Sequence, residues 1–280
     1  MSQHSPQLSP LAPRPLFPRW ANLLLPLLVV GGLGAAAYVP VVVYLGFSPA
    51  ATDVGYAPEQ PVPYSHALHV GELGLDCRYC HTSVTEAGFA AIPSTQTCMN
   101  CHSYIRVANP DGTSNKKMEP LFDAWDGTWR QRGAVFSLPP GDKPRVEGKP
   151  VEWNKVHDLP DFAYFNHQAH TTKGIGCISC HGRIDQMDVV YQAKPLSMAW
   201  CLECHRQPEN HLRPADQLTN MSWTIKHLDK TNPEVAAAVR TENSLAGDAQ
   251  ITQKQLGSYL KKKMEIRDSA YMTSCSTCHR

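Results

Sequence analysis

The chain begins with a polar, proline-rich stretch and then runs from residue 20 to 52 without a charged side chain. Within that run, residues 21–47 (ANLLLPLLVVGGLGAAAYVPVVVYLGF) are long and apolar enough to cross a bilayer with some tilt. The pattern predicts one transmembrane helix, bounded at 20–48. Pro26 and Pro40 would be awkward in a soluble helix, but membrane helices tolerate them because neighbouring groups satisfy the freed carbonyls. A cleaved export signal would show an apolar region of only about 7 to 15 residues, and this one is nearly twice that. Beyond residue 52 no run of alternating residues predicts a sheet. Residues 103–156 are rich in proline, glycine and charge, with one helical candidate at 119–132. Residues 232–267 read as helical: Asn232 can cap, Pro233 suits the first turn and Glu234 complements the helix dipole. The expected fold is mainly α with much irregular structure.

Charge orients the helix. Arg14 and Arg19 precede it and no Lys or Arg follows closely, so the excess of positive charge on the inner side places residues 1–19 in the cytoplasm as a leader. Its prolines (Pro6, Pro10, Pro13, Pro15, Pro18) predict disorder. Residues 49–280 then lie on the extracytoplasmic (periplasmic) side of the cytoplasmic membrane. Only those two arginines are charged before residue 51, so 24 basic and 25 acidic residues fall beyond it, a formal charge of −1. No nucleic-acid partner is expected.

Ten cysteines change the picture, because all fall in the pattern Cys-x-x-Cys-His. The five sites are CRYCH (Cys77, Cys80, His81), CMNCH (Cys98, Cys101, His102), CISCH (Cys177, Cys180, His181), CLECH (Cys201, Cys204, His205) and CSTCH (Cys275, Cys278, His279). At this composition roughly 0.02 such motifs arise by chance. The spacing is the attachment signature of c-type haem: two thioethers hold the porphyrin edge, and the next residue places an imidazole under the iron. Zinc sites do not demand His after each second Cys, and a disulfide framework predicts no His there at all. A thioredoxin-like motif would occur once, in a βαβ pattern. With every cysteine committed, a lipid anchor on cysteine is excluded. Five haem c are therefore expected, and Arg183, Arg206 and Arg280, each close behind a proximal His, are candidate propionate partners.

A duplication organises these sites. YSHALH (64–69) precedes CRYCH and YFNHQAH (164–170) precedes CISCH, so His-x-x-His recurs at an offset of 101 residues. Cys77 and Cys177, Cys98 and Cys201, and Pro93 and Pro195 occupy matching places. The pattern predicts two di-haem modules, 64–102 and 157–211, with a fifth site at 275–279. His66, His69, His167 and His170 are the first candidates for distal ligands, and His157 is the fifth. His211 and His227 are held as alternatives, and so is Met198, the one thioether well placed before an attachment site. Tyr64, Tyr164, Phe165 and Trp200 are expected to line haem faces.

His-x-x-His ahead of Cys-x-x-Cys-His resembles small multihaem cytochromes with bis-histidine ligation, in which the first His of the pair serves the haem attached next. That resemblance implies His66 for the CRYCH haem and His167 for the CISCH haem, with His69 and His170 reaching to other haems. IPSTQTCMNCH, VHDLPDFAYFNHQAH, CISCHGRIDQM and PLSMAWCLECHRQPENHLRP resemble the pentahaem cytochrome subunit of alternative complex III, a quinol-oxidising membrane assembly. The resemblance implies an iron–sulfur subunit related to molybdopterin oxidoreductases, polytopic quinol-binding membrane subunits and a mono-haem cytochrome c as partners. It also implies a relay from iron–sulfur clusters through five haems to a downstream cytochrome or oxidase. No catalytic site is expected on this chain.

Three other functions leave different marks. A single-anchor multihaem quinol dehydrogenase feeding a periplasmic reductase predicts four or more sites soon after the anchor, whereas 79 positions separate Cys98 from Cys177. A multihaem reductase needs an iron with an open distal position, and seven non-proximal histidines follow the apolar segment. A reaction-centre tetrahaem cytochrome favours Met before each site, and only Met198 is so placed.

Overall fold

The computed structural model describes residues 18–48, 51–105, 115–126 and 148–279. Most of the 1–19 leader and Arg280 lie outside them. The chain divides into two compact units, Met1–Ala51 and Thr52–Arg280.

In the first unit a 3-10 turn, Arg19–Leu23, leads into α1, Leu24–Phe47. At about 1.5 Å per residue its 24 residues span about 36 Å, beyond the ~30 Å of a hydrocarbon core. The helix is long and apolar enough to cross a membrane, and its side chains are exposed from Leu24 to Gly46. Pro26 sits in the first turn, where no backbone donor is needed, and Pro40 lies inside the helix.

The second unit is helical and irregular, without a strand among the described residues; an antiparallel bridge joins Ile175 to Leu212. Its helices are short: α2 Cys77–Cys80, α3 Thr95–His102, α4 Glu119–Trp125, α5 His167–Thr171, α6 Ile178–His181, α7 Met198–Arg206, α8 Leu228–Thr231, α9 Pro233–Glu242, α10 Gln253–Lys263, α11 Ser269–Met272 and α12 Cys275–Cys278. A π-helical turn, Ala67–Glu72, precedes α2. Helix α4 occupies the start of the candidate at 119–132, whose end lies outside the described residues. The predicted stretch at 232–267 contains two helices. Ser244 ends the first with φ 52°, a left-handed conformation, and Thr252 and Gln255 start the second with a reciprocal capping box. Asn232 does not cap α9: its amide donates to Asp216 at 2.9 Å, and its Oδ1 is buried without a hydrogen-bond partner.

The main core joins Leu212, Val239, Leu256 and Leu260 with Trp223 and Leu228. Burying each leucine contributes about 1.5–3 kcal/mol. This core holds the segment that follows α7. The Gln253 amide donates to the carbonyls of Glu209 (3.1 Å) and Leu212 (2.7 Å). A Cβ at position 257 would run into the Glu209 carbonyl, so only glycine permits this approach. A smaller cluster of Val62, Met99, Leu121 and Phe122 ties α3 to α4.

Candidate functional site

Each Cys-x-x-Cys-His forms or ends one helical turn, which puts the two sulfurs on one face and the imidazole just beyond them. In the CRYCH, CISCH and CSTCH sites the His amide donates to the carbonyl of the first Cys at 2.9 Å. Local caps start these turns. The Asp76 carboxylate accepts from the Arg78 amide at 2.8 Å, and Ser197 from the Trp200 amide at 3.4 Å. The Arg78 guanidinium hydrogen-bonds the same carboxylate and holds its pKa down to about 2. All ten thiols are free of disulfides. Burial pushes the Cys77 and Cys204 thiols up to about 11 and Cys180 up to about 12, so these sulfurs stay protonated at neutral pH.

The imidazoles are prepared to bind a metal through Nε2. Nδ1 faces a backbone carbonyl in His69 (Ser65, 2.8 Å), His170 (Asn166, 2.7 Å) and His167 (Gly88, 3.1 Å). The same holds for His81 (Ala91, 2.9 Å), His205 (Met272, 2.8 Å) and His279 (Phe162, 3.0 Å). An Nδ1–H donated to a carbonyl leaves the Nε2 lone pair for a metal and fixes the ring plane. Burial lowers His66 to about 4 and His181 to about 3, and also lowers His102, His157 and His170, which keeps them neutral as ligands must be.

With metal–nitrogen bonds of about 2.0 Å, two imidazoles on opposite faces of one metal have ring centroids about 6 Å apart. His69 and His102 are 6.1 Å apart, as are His170 and His205, and His167 and His181 are 6.5 Å apart. His66 lies close enough to His81 for the charge of one to lower the pKa of the other. His157 stands edge-on to His181 at 4.6 Å, inside the span two axial ligands need, with its Nε2 buried and without a hydrogen-bond partner. His227 is turned to another use: its Nδ1 accepts from the Thr224 amide at 3.1 Å, which leaves the proton of the neutral ring on Nε2. Met198 is exposed at the start of α7. Paired imidazoles with bare Nε2 atoms, next to paired free sulfurs, are a donor set that fits haem c. The zinc alternative finds no support, since among the described residues no three His, Cys, Asp or Glu side chains converge to hold a metal ion.

Two features escaped the sequence reading. Phe165, not Tyr164, is the counterpart of Tyr64: each meets the first His of its pair edge-on and stacks on the second. The uniform offset of 101 residues carried that signal. Arg213 has no such signal. It is 8% exposed, donates to the carbonyls of Gln217 (3.2 Å) and Asn220 (3.0 Å), and lies over Trp223 and beside Gly176, next to Cys177. Of the three arginines singled out by position, Arg183 is bound to Asp185 through both of its oxygens and Arg206 is exposed.

Comparison with known proteins finds multihaem cytochromes. The chain is 28% identical over 174 residues to the menaquinone reductase multihaem cytochrome c subunit of Nitratidesulfovibrio vulgaris, covering 55% of this chain and 70% of that one. Residues 75–280 match the family described as outer membrane cytochrome MtrC/MtrF-like, domains II/IV. With five haem-attachment motifs inside the matched region, the chain belongs to the MtrC/MtrF-like family of multihaem c-type cytochromes, which are electron-transfer proteins.

Proposed function

We propose that this chain carries electrons through five covalently bound c-type haems as a subunit of a quinone-linked membrane complex, with no substrate chemistry of its own. The observation behind the reading is the imidazole pair at 6.1 Å that recurs in both modules. Two imidazoles fill both axial positions of an iron and leave none for a substrate. A bound haem supplies one-electron redox chemistry. The chain holds it: each cysteine pair anchors a porphyrin edge, and His81, His102, His181, His205 and His279 are the proximal ligands. His66, His69, His167 and His170 would be the distal ligands of the first, second, third and fourth haems. The carbonyls on Nδ1 lock the ring planes, so little has to move when an iron changes oxidation state.

His157 is the fifth distal candidate read from sequence, and it stands against His181 at 4.6 Å. If His157→Ala turns one haem high-spin, it is a ligand; if all stay low-spin, the role passes to Met198 or His211. We further propose that α1 is a membrane anchor with residues 49–280 on the periplasmic side, and that the complex is of the alternative complex III type. Its iron–sulfur subunit would then deliver electrons from quinol, and a mono-haem cytochrome c or an oxidase would receive them. The stretches that resemble that complex's pentahaem subunit support this choice. The relative named as a menaquinone reductase subunit supports a quinone-linked assembly.

The test is the mass and EPR spectrum of the purified protein. The chain mass plus five haems, with low-spin signals throughout, is the expected result. Four or fewer haems in the matured protein, or a high-spin haem that binds carbon monoxide, counts against the reading.

A further inference from the structure

Building on five attached haems, we infer that the attachment sites follow one another in space in the order CMNCH, CRYCH, CISCH, CLECH, CSTCH. The first two are therefore reversed relative to the sequence. Four sets of contacts lead to this order.

Asn100, between the cysteines of CMNCH, directs its amide at the hydroxyl of Tyr79, between the cysteines of CRYCH (3.4 Å). The CRYCH and CISCH sites share one dipeptide: Thr219 donates to Asp76, the cap of α2, at 2.8 Å, and the Leu218 carbonyl accepts from the Cys177 amide at 3.1 Å. The loop after His81 meets α5 as well, through the bond of His167 to Gly88 and that of Thr171 to Val84. His167 and His170, three residues apart on α5, face His181 and His205, which sets the CISCH and CLECH irons on either side of one short helix. His205 of CLECH bonds the carbonyl of Met272, three residues before Cys275 of CSTCH.

Exposure is an independent mark of the ends. Of the ten cysteines only Cys101 and Cys275 are exposed, one in each terminal site of this order. The two modules therefore meet head to head, through the attachment sites that follow their His-x-x-His pairs. With haems held at these sites, an electron would enter at one exposed end and leave at the other. CMNCH and CSTCH are the sites that face redox partners.

Two variants of the full-length, haem-loaded protein separate this order from the chain order. Cys77→Ala with Cys80→Ala removes the CRYCH haem, and Cys98→Ala with Cys101→Ala removes the CMNCH haem. After flash injection of an electron, the first variant should show one of its four haems dropping out of fast intramolecular equilibration, while the second keeps all four in contact. Fast equilibration of all four in the first variant, or an isolated haem in the second, overturns the order. If either variant fails to mature, density for the unaltered holoprotein answers directly: the CRYCH haem between the CMNCH and CISCH haems supports the inference, and the CMNCH haem in that middle position refutes it. A wild-type mass with fewer than five haems would sink the proposed function instead.

Discussion

In the first module Tyr64 stacks on His69 at 4.3 Å and meets His66 edge-on at 4.8 Å; in the second, Phe165 does the same to His170 at 4.5 Å and to His167 at 4.8 Å. The second His of each pair then bonds the carbonyl four residues back and stands 6.1 Å from the proximal His of the module's second attachment site. What surrounds this shared geometry differs. The first pair adjoins the π-helical turn Ala67–Glu72, and the Nδ1 of His66 is buried without a partner. The second lies on α5, which Asn166 caps, and His167 bonds Gly88. The main core stands behind the second module through Gln253 and Gly257, whereas the first has the small cluster around Met99 and Phe122. Ligand geometry thus comes from a short local motif, and its support comes from whatever the chain packs behind it.

If that division is right, deleting equivalent ligands should have equivalent and large effects. His69→Ala and His170→Ala should each convert one haem completely from low-spin to high-spin, as read by EPR. Unequal results would show that the two modules use their second histidines differently. A core deletion should be unequal. Leu256→Ala, at a fully buried position, should destabilise the protein by about 2–5 kcal/mol. In thermal unfolding followed by haem absorbance, the CLECH haem should loosen before the CMNCH haem, and loss of both together would erase the contrast.

The aromatic residues should matter less and alike. Tyr64→Ala and Phe165→Ala each remove ring contacts worth about 0.5–1.5 kcal/mol beyond buried area, so both should broaden the EPR signal of one haem without abolishing low-spin ligation. The smallest effect concerns the cap of α2. Asp76→Ala should cost about 1 kcal/mol, measured by denaturant unfolding. Its hydrogen bond with Arg78 depresses the Asp76 pKa from 3.8 to about 2. The stability it contributes is therefore present above pH 4 and lost as pH falls toward 2. The α6 turn has Cys177 at its cap position and no such dependence. A pH profile unchanged by Asp76→Asn would remove this distinction.

Much of this protein could be read directly from its residues. Cys-x-x-Cys-His encodes its own helical turn, so the grouping of each cysteine pair with the histidine behind it needs no distant part of the chain. The same holds for the apolar helix and for the lack of strands among the described residues, because both follow from local hydrophobic periodicity. The break at Ser244 and the diversion of Asn232 to Asp216 were not legible, since each depends on a partner or backbone state that propensity does not carry. His227 stood as an alternative to His157, and only folding put its Nδ1 on the Thr224 amide.

By itself, then, the sequence determined the five Cys-x-x-Cys-His motifs, with their ten cysteines and the histidine that ends each, since five contiguous residues specify each. Only the tertiary structure decided which histidines face one another, which charges lie buried beside the sites and which sites are neighbours. Those depend on contacts such as Thr219 with Asp76, 143 residues apart, and His205 with Met272, 67 apart, and contacts at that range form only once the whole chain has packed.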